Sequence, residues 1–381
     1  MKKIIIKKMA KQLLVIVVLA IAFSACNKKI PDAEPILFPS SSTLTIGDVL
    51  TSDTTYSFFK AAATKVGAMT ALLNASNSFT LFLPDNNAFK ASGIPSIQVI
   101  NALPVATVFA IVNYHLIPGQ VLPSDQIPTK FPNVQLPTAL GPGSNLPGTI
   151  IPFKLSAFPS RRGTDFWYNI APGLPSITMF SNGVINLVSK VTFPPSLTLA
   201  ASSGPSVIYS DSLLSIFRAL IVRGDSGQPA AARIDSALKN PGANLTVFAP
   251  NNTAMKQFIS AATGGLIPTA APDAVFIGFI STSFPVLNAR GITVYHILGT
   301  RAFSVNFAAI PAFYPTLFNL GFPAHPGVSV QSFFTGLVVD SMKVTGFGNG
   351  GVAATSKPKS NFDKNAINGV VHVIDRVLLP Q

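Results

Sequence analysis

The chain has 381 residues, with 27 Lys+Arg against 14 Asp+Glu and a formal charge of +13, yet only 11% of its residues are charged and 48% are hydrophobic. Charge spread this thinly, with no Lys/Arg block after residue 25, excludes the electrostatic footprint of a nucleic-acid binder, and so few acids leave little material for paired general acid–base groups. A single cysteine excludes any intramolecular disulfide, and the length suggests about two domains.

The N-terminus sets the compartment. Lys2, Lys3, Lys7, Lys8 and Lys11 precede an apolar run from Leu13 to Phe23, followed by Ser24-Ala25-Cys26. That order is the basic region, apolar region and small-residue cleavage site of an export signal covering residues 1–25. The run falls well short of the roughly 20 residues that a membrane-spanning helix needs. Phe23-Ser24-Ala25-Cys26 resembles a bacterial lipobox, with Phe23 where Leu is commoner. Cys26 is therefore expected to carry a lipid that holds the mature chain on the cell envelope, at the outer membrane of a Gram-negative bacterium, with the periplasmic and surface faces both open. An ordinary signal with an incidental cysteine is the alternative. Cleavage removes five lysines and no acids, which takes the charge from +13 to +8. Within the lipidated tether at 26–42, residues 27–40, with Pro31, Pro35 and Pro39, read as extended and reach about 40 Å at roughly 3 Å per residue.

Beyond the tether the chain repeats itself. Apolar spacing predicts helices over Tyr56 to Asn74 and Asp211 to Arg223. Thr80 to Leu83 and Leu245 to Ala249 are short apolar strands, each stopped by a proline, Pro84 or Pro250. Asp85-Asn86-Asn87 and Asn251-Asn252-Thr253 then offer N-cap side chains for a short helix. Val184 to Phe193 and Val370 to Leu379 read as closing strands, each entered through an Asn-Gly hairpin turn at Asn182-Gly183 or Asn368-Gly369. Three blocks recur in one order: Thr80 to Phe89 with Thr246 to Met255, Val112 to Ile117 with Thr293 to Leu298, and Asn182 to Val188 with Asn368 to Ile374. The offsets grow from 166 to 181 to 186 residues, as expected of a duplicated domain with insertions in the second copy. Ala261 to Gly265 and Pro268 to Pro272 read as the first insertion, in the form of a loop. The domains are expected at 43–195 and 207–381, joined by a linker at 196–206 rich in turn residues. Strands and helices interleave without a strict βαβ rhythm, which favours α+β.

Those blocks resemble the fasciclin (FAS1) domain. Thr246 to Met255 is similar to the family's Thr-Val-Phe-Ala-Pro-x-Asn-x-Ala-Phe signature, and Thr80 to Phe89 nearly as much. The family's Tyr-His pair is present at Tyr114-His115 and at Tyr295-His296. Its closing Asn-Gly-Val-x-His-x-Ile-Asp-x-Val-Leu-x-Pro signature is matched by Asn368 to Pro380, including His372 and Asp375. In the first copy Asn186 and Ser189 replace those two, which makes the second copy the more orthodox. The resemblance implies two tandem seven-stranded β-wedges with packed helices. It also implies adhesion or matrix binding, no family-wide catalysis and no cofactor.

Tyr114, His115, Tyr295 and His296 are the candidate adhesion or binding residues, since the family's adhesive activity is ascribed to this neighbourhood. Placed on a strand, only one side chain of each pair can point inward. The apolar neighbours Val112, Ile117, Ile297 and Leu298 favour histidines that pin core carbonyls while the tyrosines pack. His296 and His372 could approach each other, but a tetrahedral metal needs a further ligand, and neither a Cys, a carboxylate cluster nor His325 in its Pro-flanked loop supplies one.

Two motifs look like decoys. Gly224-Asp225-Ser226-Gly227 resembles the nucleophile turn of trypsin-like proteases but lacks a base in context. Gly346-x-Gly348-x-x-Gly351 matches a dinucleotide pattern, yet it runs to Lys357-Pro358 instead of a phosphate-binding helix, so a Gly-rich hairpin loop is expected. Asp53-Thr54, Asp211-Ser212, Asp235-Ser236 and Asp340-Ser341 resemble an O-glycosylation sequon of exported bacterial proteins, although N-capping accounts for Asp211 and Asp235 without it. The 29 Phe, against one Trp and six Tyr, suit dry cores more than sugar-stacking platforms. The low charge nevertheless predicts exposed apolar area, a usual mark of contact with a partner. The expected function is non-enzymatic: an envelope-anchored protein contacting extracellular protein or glycan. A small-ligand carrier or accessory receptor in nutrient capture is the alternative.

Overall fold

The computed structural model describes residues 43–141, 145–146, 149–150, 153–357 and 359–381. The signal, Cys26 and the tether lie outside the described residues. The chain divides into two compact units between Ser196 and Leu197.

In the first unit, helix α1 (Ile46–Ser52) starts at Thr45, whose hydroxyl accepts from Asp48 N at 3.2 Å while Thr45 N donates to the Asp48 carboxylate at 2.8 Å. This reciprocal cap satisfies two of the N–H groups that a helix start leaves open. Helix α2 (Ser57–Lys65) does not run through to Asn74 as its spacing predicts. It stops where Gly67 turns left-handed (φ +74°) and Ala68 N donates back to Ala63 O at 2.9 Å, and α3 (Met69–Leu73) begins anew. Strand β1 (Phe79–Pro84), helices α4 (Asn86–Ala91), α5 (Ile97–Ala102) and α6 (Val105–Tyr114), and strands β2 (Leu116–Pro118), β3 (Ser160–Arg162), β4 (Asp165–Tyr168), β5 (Ala171–Phe180) and β6 (Gly183–Val188) follow. One sheet has the order β2-β1-β6-β5-β4-β3. Within it β1 and β6 run parallel, from Phe79↔Gly183 to Pro84↔Val188, and the other pairings are antiparallel. Every residue of β1 is buried. Leu81 and Leu83 join Phe59, Leu72, Phe89 and Ile111 under the helices, while Phe82 joins Ile117, Ile127 and Tyr168 on the opposite face. A strand covered on both sides reads as a continuous apolar run rather than an alternating one.

The second unit repeats that frame. It contains α7 (Ser215–Gly224), α8 (Ile234–Lys239), β7 (Leu245–Pro250), α9 (Asn252–Ala262), α10 (Asp273–Thr282), α11 (Val286–Tyr295), β8 (Ile297–Leu298), β9 (Ala312–Tyr314), β10 (Val328–Thr335), β11 (Val338–Thr345), β12 (Ala354–Ser356), β13 (Lys364–Ala366) and β14 (Gly369–Ile374). Its sheet β8-β7-β14-β13 has the order of β2-β1-β6-β5, again with the central pair parallel, from Leu245↔Gly369 to Pro250↔Ile374. A second four-stranded sheet has the order β9-β10-β11-β12. The mixed α+β class stands, but against the seven strands implied for each copy the described residues give, in the first, six strands in one sheet plus two short pairs (Leu136–Pro137 with Ser156–Ala157, Asn145–Leu146 with Thr149–Ile150) and, in the second, four plus four. The split in the second unit follows from β13, which pairs with β14 over only three residues. The joint between its two sheets is then made by single bonds, Asp375 N to Thr355 O at 3.1 Å and Ser356 Oγ to Val373 O at 2.6 Å.

Two boundaries differ from the sequence reading. The expected linker at 196–206 belongs to the second unit from Leu197 onward. Leu199 and Ala200 are buried in its core, and Ile367 N donates to Leu197 O at 2.8 Å. Ser181 N makes the same bond to Leu44 O in the first unit at 2.9 Å. Leu44-Thr45-Ile46 thus recurs as Leu197-Thr198-Leu199, a repeat short enough to be hidden by the turn-rich residues after it. The insertion after Met255 is partly helical, because α9 runs through Ala262 over 11 residues where α4 has six.

A basic side chain closes the helix layer in each copy. Lys65 Nζ donates to Ile100 O, Asn101 O and Leu103 O at 3.0, 2.7 and 2.6 Å, capping α5. Arg223 donates to Phe284 O, Ser281 O and Thr282 O at 2.7, 3.1 and 3.3 Å, capping α10. A cation at a helix C-terminus also meets the negative end of the helix dipole. Arg223→Ala should therefore destabilise the second unit by about 1–2 kcal/mol, with Arg223→Lys recovering part of the loss; urea unfolding followed by circular dichroism would measure both.

Candidate binding site

Tyr114-His115 and Tyr295-His296 sit at the ends of α6 and α11, not on strands, so both members of each pair face inward. All four side chains are 0% exposed. The cause is the histidine itself. His115 Nε2 accepts from Thr192 N at 3.0 Å, so Nδ1 carries the proton and donates to Ile111 O at 2.9 Å. His296 does the same with Leu378 N at 2.9 Å and Ile292 O at 2.8 Å. Each ring joins a helix end to the extended segment after the closing strand. Those segments, expected to continue as strands to Phe193 and Leu379, are therefore bound to a side chain instead, and β6 and β14 end at Val188 and Ile374. Burial of the neutral rings lowers both histidines to about 4.

The tyrosines are held just as fully. Tyr114 Oη donates to Ser156 O at 3.2 Å and accepts from Asn169 Nδ2 at 3.0 Å. Tyr295 Oη donates to Gly327 O at 2.7 Å and accepts from Phe347 N at 2.9 Å. The four candidate residues are thus structural: none offers a free polar atom at the surface.

The remaining signature residues form one hydrogen-bond frame, built twice. Asn182 Oδ1 accepts from Ile46 N at 2.8 Å, and its Nδ2 donates to Leu72 O and Asn74 O at 2.7 and 3.2 Å. Asn368 serves Leu199 N, Leu238 O and Asn240 O at 2.8, 2.8 and 2.9 Å. The hairpin turns are Ser181-Asn182 and Ile367-Asn368, one residue earlier than expected, since Gly183 and Gly369 already pair with Phe180 and Ala366. These glycines are required by the parallel neighbour: a Cβ would lie 2.0 Å from Phe79 O at Gly183 and 2.4 Å from Leu245 O at Gly369.

Pro84 and Pro250 end their strands opposite Val188 and Ile374. Asp85 and Asn251 then cap the next helix, while the following Asn reaches elsewhere. Asn86 accepts from Phe58 N at 2.9 Å and donates to Thr54 O at 2.9 Å, and Asn252 accepts from Ile216 N at 3.1 Å and donates to Ser212 O at 2.9 Å.

The Asn186 departure in the first copy preserves the bonds of its counterpart, His372. His372 Nε2 donates to Ala302 O at 3.0 Å and its Nδ1 accepts from Asp363 N at 3.3 Å. Asn186 makes the equivalent donation to Leu122 O and accepts from Ser124 N, both at 2.9 Å. His296 and His372 therefore spend their ring nitrogens on separate backbone groups. Asp375 Oδ1 accepts from Thr355 N at 2.6 Å at the joint between the two sheets.

Both short motifs resolve into architecture. Asp225 accepts from Ile234 N and Asp235 N, each at 2.8 Å, and pairs with Arg290 at 3.2 Å, so it caps α8. Asp235 does not act as the cap. It bonds the Tyr209 hydroxyl and pairs with Lys239 at 2.6 Å. In the Gly-rich motif, Gly348 N donates to Leu379 O at 2.8 Å, and Cβ atoms at Gly346 and Gly348 would lie 2.7 Å from Leu379 O and 2.0 Å from Gln381 O. Those glycines let the loop lie against the end of the chain. Among the sequon-like sites, Ser341 is buried while Thr54 and Ser212 are exposed.

With the signature residues committed to the frame, contact chemistry is left to the surface. Large apolar side chains stand out on the second unit: Phe313 (61% exposed), Phe322 (55%) and Phe347 (64%). Sequence reasoning assigned phenylalanine to dry cores and missed these positions. Strand alternation, Val328-Ser329-Val330-Gln331, marks one face of β10 as outward and with it Phe313, which pairs with Ser329, but gives no signal for Phe322 and Phe347.

Residues 54–194 match the family described as Fasciclin domain. A search of curated proteins returns no match. Among solved structures, a FAS1 domain pair from the insect cell adhesion molecule fasciclin I is similar at 17% identity and a TM-score of 0.35, over 85% of this chain and 96% of that one.

Proposed function

We propose that the chain, whose residues 54–194 match the Fasciclin domain family and whose residues 197–381 repeat the same frame, is a non-enzymatic adhesion protein held on the cell envelope through Cys26 and contacting extracellular protein or glycan. The observation that carries the reading is the double use of the signature. In both copies the Tyr-His pair, the turn Asn and the post-strand Asn are consumed by internal hydrogen bonds, most of them to the backbone, so the motif builds a scaffold and leaves recognition to exposed faces. The signal-like order of residues 1–25 and the lipobox-like Phe23-Ser24-Ala25-Cys26 support such a scaffold acting outside the cytoplasm.

Fatty-acid labelling of producing cells, with Cys26→Ala in parallel, tests the anchor, and protease treatment of intact cells tests the face. Lipid label on the parent chain but not on the variant, with cleavage by external protease, is the expected result. Complete protection, or an unlabelled parent chain, would overturn the envelope adhesin.

A further inference from the structure

We infer that the outward face of the β9-β10-β11-β12 sheet is a binding platform for an acidic polysaccharide; the inference deepens the adhesion reading above and rests on it. Strand register sorts the side chains. Val328, Val330 and Ser332 of β10, Met342 and Val344 of β11, and Ala354 and Ser356 of β12 point into the unit and are buried. The other face presents two cross-strand rows, Phe313–Ser329–Thr345 and Gln331–Lys343–Thr355, and beyond them Phe333 beside Ser341. Phe313 and Lys343 are exposed, and Ser329, Gln331, Phe333, Thr345 and Thr355 are partly so.

Each group type on this face matches one feature of a charged sugar. Phe313 and Phe333 stand two rows apart, about 13 Å at the rise of a strand, which suits a run of linked sugars better than a single ring, with apolar C–H faces resting on the phenyls. Gln331 lies in the row between them, and the hydroxyls of Ser329, Thr345 and Thr355, spread across β10, β11 and β12 beside them, can both donate and accept. Gln331 is oriented by its Nε2 bond to Ala309 O at 2.8 Å, which leaves Oε1 to accept.

Charge selects the acidic member of the class. Lys343 Nζ lies over the Phe333 ring at 5.3 Å and, among the described residues, has no carboxylate within ion-pair distance. The carboxylates at the rim are already engaged: Asp340 by Lys359 at 3.0 Å and by the Thr335 hydroxyl, Asp375 by Thr355 N at 2.6 Å. Both bonds lower Asp340 below the usual carboxylate range, the hydroxyl contributing most. An ammonium that rests on a phenyl ring and has no carboxylate partner, in the middle of a polar and aromatic face, is complementary to a uronate or sulfate placed on a sugar chain.

Isothermal titration of the full mature chain in detergent, with polygalacturonate oligosaccharides as probe and maltohexaose as the neutral comparison, tests the platform. Lys343→Gln and Phe313→Ala should each weaken polygalacturonate binding about tenfold. Lys190→Gln, an exposed lysine in the first unit, should stay within about twofold, and maltohexaose should bind at least about tenfold more weakly than the acidic probe. Circular dichroism melting of each variant checks the fold. No binding of polygalacturonate, equal binding of the neutral sugar, or equal losses from Lys190→Gln and Lys343→Gln would each overturn the proposal. Loss of polygalacturonate binding to the parent chain alongside retained adhesion of intact cells to a protein matrix would remove this platform and leave the adhesin standing.

Discussion

Asn368→Ala is expected to lower the unfolding free energy of the second unit by about 3 kcal/mol, and Asn182→Ala to do the same in the first. The amide meets three backbone groups from two other segments, Leu199 N, Leu238 O and Asn240 O, and its side chain is 0% exposed. Each buried group stripped of its partner costs about 1–3 kcal/mol, and the small cavity adds to that. Compensation by a slight shift is restricted because the adjacent Gly369 is already pressed against Leu245 O. The single Trp of the chain, Trp167, is buried in the first unit. Its fluorescence therefore follows that unit, while far-ultraviolet circular dichroism follows both. Asn182→Ala should move the fluorescence midpoint in urea, whereas Asn368→Ala should leave fluorescence in place and move the dichroism. A loss below about 1 kcal/mol in either variant would mean that the amide is not the staple of its unit.

How much of this was readable beforehand depends on the kind of residue. The duplication, the strand-stopping prolines and the caps at Asp85 and Asn251 were legible because each is a local rule acting over a few residues. The Tyr-His pair was misplaced on a strand because Val105–Tyr114 is apolar nearly throughout and runs straight into Leu116–Pro118, so periodicity has no contrast at the junction. The helix ends there for a tertiary reason: the His115 ring takes Ile111 O and reaches Thr192, a residue 77 positions away. The linker was misread for a similar cause, since burial of Leu199 depends on Asn368. The exposed platform was half legible. Alternation in β10 marks two faces, but the bulge at Phe333/Phe334 interrupts it, and which face meets the core is decided by the rest of the unit.

Acid should weaken both units, and the second more steeply than the first. His115 and His296 are fully buried and are lowered from the ordinary 6.5 to about 4 by desolvation. Between those values the unfolded chain holds a proton that the folded chain refuses, so stability rises with pH in that window. The contribution is complete above about pH 6.5, declines as pH falls toward 4, and changes no further below it. Over that interval each ring forfeits about 3 kcal/mol. Mechanically, protonation of Nε2 removes the acceptor for Thr192 N or Leu378 N and releases the segment after the closing strand. The second unit carries an additional buried histidine, His372, likewise lowered by desolvation, where the first has Asn186. Asp363 beside it is raised by burial, so its contribution has the opposite sign. The urea midpoint of the dichroism signal should therefore drop more between pH 7 and 5 than the Trp167 midpoint. His372→Asn should bring the two slopes together, because the first copy already uses that amide for the same donation, to Leu122 O instead of Ala302 O. Parallel slopes in the parent chain would show that His372 titrates alike in the folded and unfolded chain, and would leave its burial without a linkage to protons.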